Sequence, residues 1–369
     1  MTLMSLNKKL TIGIIIPIFN NEDTLNRCLN SVKVVKKNKW LNFFCVCIDD
    51  ASSDRSGKII EKYKNLKVVD LHVINKKNKG ISASRNIGIK KCKNTKWIFF
   101  LDADDEIVDN FINLRKFLNK KVSQIICSHK SCELKSEVII NHLPNEAEFK
   151  TKKLVDYMQE YFKQPNKKSL FTSCWGRLYN SDIIFKESTT LFNEKMNTAE
   201  DVHFTHQILL KNPDFIYSKQ IIYKNYISII YRKSLSSTFA ITHSINHLFG
   251  FLWAVRSAKK IIKKYSNIDS LILNNMIHHC ISAYLMIYYV RSTMRVSSLK
   301  DFFFLSNYFS NLISKGYFKI CLKNYSVSLA NGNKVLFFLI KKNKKLLSYI
   351  YALYCGYKRY RFIRVGLNL

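Results

Sequence analysis

Four short strings in this chain combine residue types and spacing that could do chemistry. The tightest is Asp102-Ala103-Asp104-Asp105. Carboxylates packed this closely repel one another unless something positive lies between them. Mg2+ or Mn2+ suits such a set: hard oxygen ligands, few protein contacts, and positions left for water and substrate phosphates. A metal held there would neutralise charge developing on a diphosphate leaving group. Taken alone, however, the string reads more simply as a solvated acidic turn. The second string, Asp49-Asp50-Ala51-Ser52-Ser53-Asp54, offers Asp50 as an acceptor for a base N–H or a ribose hydroxyl. Ser52, Ser53 and Asp54 would build the turn itself. The third runs from Gly80 to Asn86 and puts Arg85 early in a helix, where it pairs with phosphate or merely faces solvent. The fourth, Glu200-Asp201, places two acids where a helix N-terminus would welcome them. His203 and His206 follow three apart with no further ligand beside them, so packing or acceptor contact is the simpler reading. His278 and His279 read as structural.

Strands and helices must bring these strings together. Thr11 to Ile16 is a run β-branched at every position but Gly13, the mark of a strand buried on both faces. Leu25, Cys28, Leu29 and Val32 recur at helical spacing. Phe43 to Ile48 predicts a second strand, Ser56 to Lys64 a helix, and Leu66 to Ile74 a third strand. Ser82 is a candidate cap for a helix running to Lys91. Trp97 to Leu101 predicts a fourth strand, ending at Asp102. Alternation of this kind implies a largely parallel sheet covered by helices. Sites in such sheets lie beyond the carboxyl ends of the strands. Phe19-Asn20-Asn21, Asp49-Asp50 and Asp102 to Asp105 all fall at such ends. After Asp109 the pattern loosens. Gln124 to Ser128 reads as a strand, Lys153 to Phe162 as a helix, and Phe171 to Tyr179 with Glu200-Asp201 as a mixed second half of the same domain.

Composition sets the outer bounds. The chain has 369 residues, of which 47% are hydrophobic, enough for a sizeable core and too many for a disordered chain. Lys and Arg number 60 against 26 acids, a formal charge of +34, which predicts attraction to a polyanion. From Phe251 onward there are 20 basic residues and two acids, Asp269 and Asp301. That region lacks proline, and its Leu/Ile/Phe/Tyr-rich segments read as helices. Lysine clusters such as Lys259-Lys260 and Lys341-Lys342 alternate there with aromatic runs. Helices of that kind bind anionic membrane surfaces, and a helical subdomain with solvated lysine faces is the plainer alternative. No nucleic-acid motif is present, so a nucleic-acid partner is not expected. The 10 cysteines show no framework and read as reduced, mostly buried thiols. No signal peptide is evident, and no stretch reaches ~20 uninterrupted apolar residues.

Four motifs in order make a resemblance specific. IIIPIFNNEDTLNRCLNS, IDDASSDRSG, NKGISASRNIGI and WIFFLDADDEI together resemble the nucleotide-binding half of glycosyltransferase family 2. TSCWGRLYNSDII, AEDVHF and YRKSLSST resemble later elements of the same family, so the likeness runs over about residues 10 to 240. It does not reach the C-terminal third. The resemblance implies a GT-A fold: an α/β, Rossmann-like mixed and mainly parallel sheet with flanking helices. The mostly helical C-terminal region would be additional. Residues 1–240 would then be the catalytic domain, and 241–369 a basic region serving acceptor or membrane association.

Site roles follow from the resemblance position by position. Pro17 and Phe19 match the loop lining the nucleobase, and Asp50 the acid reading it. Arg85 and Asp102 belong with the sugar-nucleotide contacts. Asp104 and Asp105 match the pair serving ribose and metal, which would be Mn2+ or Mg2+. Asp201 matches the catalytic base, with Glu200, Trp175 and Arg177 in acceptor or support roles. Ala51 stands where glycine is commoner, and Arg177 where lysine is. A carboxylate within reach of an acceptor hydroxyl can take its proton as that hydroxyl attacks the anomeric carbon. The implied activity is inverting transfer from a nucleotide-diphosphate sugar, UDP-linked, to a saccharide or lipid-linked saccharide. The setting would be lipopolysaccharide or capsule assembly, in the cytoplasm at the inner face of the inner membrane. Two other classes compete: a nucleotidyltransferase on a similar scaffold, and a non-catalytic basic module. The first would want a glycine-rich phosphate loop after the first strand, where Pro17-Ile18-Phe19-Asn20-Asn21 stands instead.

Overall fold

A computed structural model describes residues 9–133, 136–165, 170–196, 198–226 and 237–293, with shorter pieces between 304 and 354. The first half alternates strand and helix. β1 (Leu10–Ile18), α1 (Leu25–Val35), β2 (Leu41–Asp49), α2 (Ser56–Asn65), β3 (Leu71–Ile74), α3 (Ile81–Lys91) and β4 (Trp97–Phe100) follow in order. β1 lies between β2 and β4, parallel to both, and β3 joins the outer edge of β2 in parallel. The β-branched and aromatic residues of β1 and β4 are buried on both faces, as a parallel sheet under two helical layers requires.

The second half makes the sheet mixed. β5 (Glu106–Ile107), β6 (Gln124–Glu133), β7 (Ser136–Ile140), β8 (Ala147–Phe149), β9 (Arg177–Asn180) and β10 (Phe215–Tyr226) extend it. The path runs β3-β2-β1-β4-β9-β6-β10-β5, with β7 on β6 and β8 on β10. β9 is antiparallel to both β4 and β6, whereas β6 and β10 run parallel. Helices α4 (Arg115–Leu118), α5 (Thr151–Lys163), α6 (Ser181–Ile184) and α7 (Glu200–Lys211) belong to this half. Later helices are α8 (Ser237–Tyr265), α9 (Ser270–Thr293), α10 (Gly316–Lys323) and α11 (Lys334–Lys341).

Two expectations fail locally. The third strand begins at Leu71, not Leu66. Residues before it close α2 instead: the amides of Val68 and Val69 both bond the Tyr63 carbonyl, and Lys67 sits at φ 57°. Ser82 does not cap α3. Gly80 does, at φ 87°, a conformation glycine adopts without steric cost, and the Ser82 hydroxyl lies within the first turn.

The chain divides into two compact units. One comprises Met1–Leu154, Leu170–Met196 and Glu200–Ser228; the other Val155–Ser169, Asn197–Ala199 and Ile229–Leu369. The first holds the sheet. In the second, α9 contacts both α8 and α10, and His279 accepts from the Ser326 amide while facing the Lys163 carbonyl at 3.0 Å. Those bonds account for His279 as a structural residue. Cysteines among the described residues are unpaired and buried.

Candidate active site

The carboxyl ends of β1, β2 and β4 meet on one edge of the sheet. The loops after β1 and β2 are laced together: the Asn20 amide bonds Ser52 Oγ, Ser53 N bonds Asn20 Oδ1, and Glu22 N bonds Asp54 Oδ2 at 2.9 Å. Ser52 and Asp54 thus build the turn, as their types predict. Phe19 is 47% exposed at the rim, while Pro17 is buried within β1 opposite Ile48. Ala51 adopts φ 65°, so the turn keeps its shape at the cost of about 1 kcal/mol that glycine would avoid.

Asp50 is buried and fully engaged by its own chain. It accepts from Asn75 Nδ2 at 2.6 Å and from the amides of Lys79 and Gly80, fixing the entry to α3. α3 then delivers Arg85. Its guanidinium, 2% exposed, donates from Nη1 to Asp201 Oδ1 at 2.7 Å and to Glu200 Oε1 at 3.4 Å. Nη2 donates to Asp102 Oδ1 at 3.1 Å. The Phe192 ring lies 5.3 Å from the guanidinium carbon. Arg85 therefore faces inward onto three carboxylates and does not present a free surface to a ligand.

The acidic string divides by environment. Asp105 is 1% exposed and accepts from Tyr223 Oη at 2.6 Å, Asn225 Nδ2 at 3.1 Å and the Tyr226 amide at 2.7 Å. It anchors β10 with both oxygens, although the resemblance pairs it with Asp104 on a metal. Asp104 is half-buried, and its backbone carbonyl accepts from Arg27 Nη2. Asp102 keeps its second oxygen outside the Arg85 bond. Among the described residues, no three His, Cys, Asp or Glu side chains converge as a ready-made metal centre. Asp104 and the second oxygen of Asp102 are hard donors of the kind a divalent cation takes when its other ligands are water and phosphate.

Burial tunes these acids. It lifts the Asp105 carboxyl to about 7 against its three donors. It raises Asp104, and it raises Asp102 in spite of Arg85. Glu200 is pushed to about 6, first by burial and then by Asp201 beside it. Burial acts to lower the Arg85 value, but Asp201, Asp102 and Glu200 more than offset it and keep the guanidinium charged.

Glu200 and Asp201 open α7, and Asp201 Oδ2 also accepts from the Cys174 amide at 3.1 Å. The next residue, Trp175, stacks on Tyr223 with centroids 4.8 Å apart and meets His129 edge to face at the same separation. Burial and Arg177 hold the His129 imidazole neutral, down to about 4. Arg177 lies in β9, bonded to Gln124 Oε1 and the Leu170 carbonyl, where it supports the wall and stands away from the acidic string. His206 packs edge-on against Phe171, and His203 lies 3.5 Å from Gln207. The YRKSLSST segment lies largely outside the described residues.

Sequence reasoning missed Tyr223, Asn225 and Tyr226, which hold Asp105, and Asn75, which holds Asp50. Tyr223 and Asn225 stand two apart on a strand, so they share a face, but nothing in their types marks them as partners of an acid 118 and 120 residues away.

The profile described as Glycosyl transferase family 2 matches residues 13–185. A minor teichoic acid biosynthesis protein, GgaA of Bacillus subtilis, is 29% identical over 207 residues, covering 54% of this chain and 43% of its own length. This chain therefore spans less than half of that relative. The S. aureus TarS fragment 1–349 in complex with UDP-GlcNAc superposes with a TM-score of 0.62 at 16% identity, covering 92% of this chain and 90% of its own. A mannosyltransferase from Pyrobaculum calidifontis in complex with GDP-Man and Mn2+ superposes at 0.50 and 12% identity, over 92% and 88%. The fold likeness thus continues beyond residue 240, where the sequence resemblance stops. Residues 13–185 therefore resemble glycosyltransferase family 2, and the fold is of the GT-A kind.

Proposed function

We propose that the chain transfers a sugar from a UDP-linked donor to a hydroxyl of a saccharide or lipid-linked saccharide in surface-glycan assembly, lipopolysaccharide or capsule. The observation that carries this reading is the single cluster in which Asp102, Glu200 and Asp201 surround Arg85, with Asp104 close enough to Asp102 to act on its charge. One side of that cluster is the β4 end, where the donor diphosphate belongs. The other is the start of α7, where a base belongs. The teichoic acid biosynthesis of GgaA and the UDP-GlcNAc complex of the TarS fragment support this donor and acceptor class.

In this reading the exposed ring of Phe19 covers the base, with Pro17 shaping the strand end behind it. Asp50 holds the loop against which the base lies. Asp104 and the second oxygen of Asp102 would hold Mn2+ or Mg2+, which supplies positive charge to the departing diphosphate. Asp201 accepts the acceptor proton, its two oxygens oriented by Arg85 Nη1 and the Cys174 amide. Glu200 orients the acceptor, Trp175 forms its wall and Arg177 supports that wall. A single displacement inverts the anomeric centre. Residues 1–240 form the catalytic domain in this reading, and the basic region 241–369 touches an anionic membrane from its cytoplasmic face. No described helix is long and apolar enough to cross a membrane.

Calorimetry with UDP, with and without Mn2+, tests the donor half, and a panel of UDP-sugars with chromatographic detection of UDP release tests transfer. Metal-dependent UDP binding and acceptor-stimulated UDP release are expected. Release of pyrophosphate would assign the chain to nucleotidyl transfer instead.

A further inference from the structure

We propose that Arg85 is a positioning residue that ties Asp201 to the acidic end of β4, and that it is not a ligand of the donor phosphates. This rests on the reading of Asp201 as the base. The two η-nitrogens point opposite ways: Nη2 to Asp102 at 3.1 Å, Nη1 to Asp201 at 2.7 Å and to Glu200 at 3.4 Å. Asp102 ends the central strand, and Asp201 begins a helix about a hundred residues later in the chain. No other side chain among the described residues bonds both.

The surroundings argue against a phosphate partner. Three carboxylates already ring the guanidinium, so an incoming phosphate would meet more negative charge than positive. The head group is also buried, with Phe192 on its flank. A planar guanidinium fork spans two sites in fixed geometry, whereas a lysine ammonium is a point charge and would hold one side only.

The consequence is a rigid bridge between the two halves of the site. Asp201 Oδ1 is fixed by Arg85 and Oδ2 by the Cys174 amide, so the carboxylate plane is set from both ends. Losing the Arg85 end leaves the base free to rotate about the Cys174 bond.

Arg85→Lys and Arg85→Gln test this, each checked for folding by its thermal midpoint. Amide exchange at Cys174 should accelerate in both, because its acceptor is no longer fixed, and Asp102→Asn should produce a smaller acceleration through Arg85. UDP affinity and donor KM should stay within about threefold of wild type while kcat falls about 100-fold, the cost of a base displaced by about 1 Å. A tenfold or greater loss of UDP affinity with kcat retained would make Arg85 a donor ligand and overturn the proposal. Unchanged Cys174 exchange in the folded Lys variant would overturn it as well. The exchange readout needs no turnover. If the wild-type chain transferred no sugar, the functional reading would fail while the exchange data still decided whether Arg85 fixes Asp201.

Discussion

Asp201 and Asp105 show how two carboxylates 96 positions apart in one sheet edge acquire different work. Asp201 is partly buried, its side chain 16% exposed, and its oxygens bond Arg85 Nη1 and the Cys174 amide. Asp201→Asn keeps the shape and removes the basicity. Turnover should fall by about 10²–10⁴, the usual worth of a general base, with UDP affinity unchanged by calorimetry. Near wild-type transfer would remove Asp201 from that role. Asp105 is sealed behind β10, and burial lifts its carboxyl to about 7. The folded value exceeds the unfolded value of about 4, so between those pH values the folded chain holds a proton the unfolded chain has lost. Its contribution to stability is complete below about pH 4 and is lost as pH rises through about 7. In metal-free buffer, urea midpoints of the wild type should decline from about pH 5 to about pH 8 relative to those of Asp105→Asn. Parallel curves would contradict that environment for Asp105.

At the scale of elements, α3 carries Arg85 only because it lies close on β1. A Cβ on Gly88 would meet Ile15 Cγ2 at 2.3 Å, and Ile15 is a fully buried strand residue with no room to yield. Gly88→Ala should therefore destabilise the chain by about 1–3 kcal/mol, read as a lower urea midpoint, and should lower kcat as α3 lifts Arg85 away from Asp201. A variant as stable as wild type would show that the contact relaxes freely. This packing is not visible in the sequence, where Gly88 is one small residue in a helical run. What is legible there is periodicity and strand ends. Ile12 to Ile16 and Trp97 to Phe100 announce buried strands, and the acids just after β2 and β4 announce their site edge. The antiparallel insertion of β9 beside β4 is not legible, because Arg177-Leu178-Tyr179-Asn180 is short and its pairing partners are far away in sequence. The site divides the same way. Asp50, Arg85, Asp102, Asp104, Asp105 and Asp201 stand out by type and motif. Their partners Asn75, Cys174, Tyr223 and Asn225 do not, since a backbone amide or a tyrosine carries no mark of the acid it will meet.

The whole molecule adds a property no single element shows. Its formal charge is +34, and from Phe251 onward 20 basic residues face only two acids. Within the second unit, the described helices expose apolar side chains among these lysines. On α10, Tyr317 and Ile320 are exposed with Lys319 and Lys323; on α11, Phe338 is 57% exposed between Lys334 and Lys341. Neither helix contains an acid. A lysine near an anionic bilayer contributes about 1 kcal/mol, and a buried phenylalanine about 1.5–3 kcal/mol, so a few of each suffice for peripheral binding. A solvated lysine face would have the first contribution without the second. The full chain should therefore sediment with phosphatidylglycerol vesicles and not with phosphatidylcholine vesicles. Raising salt from about 0.1 M to about 0.5 M should release part of it, since the charge contribution is screened and the apolar one is not. Phe338→Glu with Ile320→Glu should make the remaining binding fully salt-sensitive. If the paired substitution left sedimentation unchanged at high salt, these side chains would not enter the bilayer. If the wild type bound neither vesicle, the basic region would be a solvated surface of the second unit, and membrane-bound acceptors would have to reach the enzyme by another route.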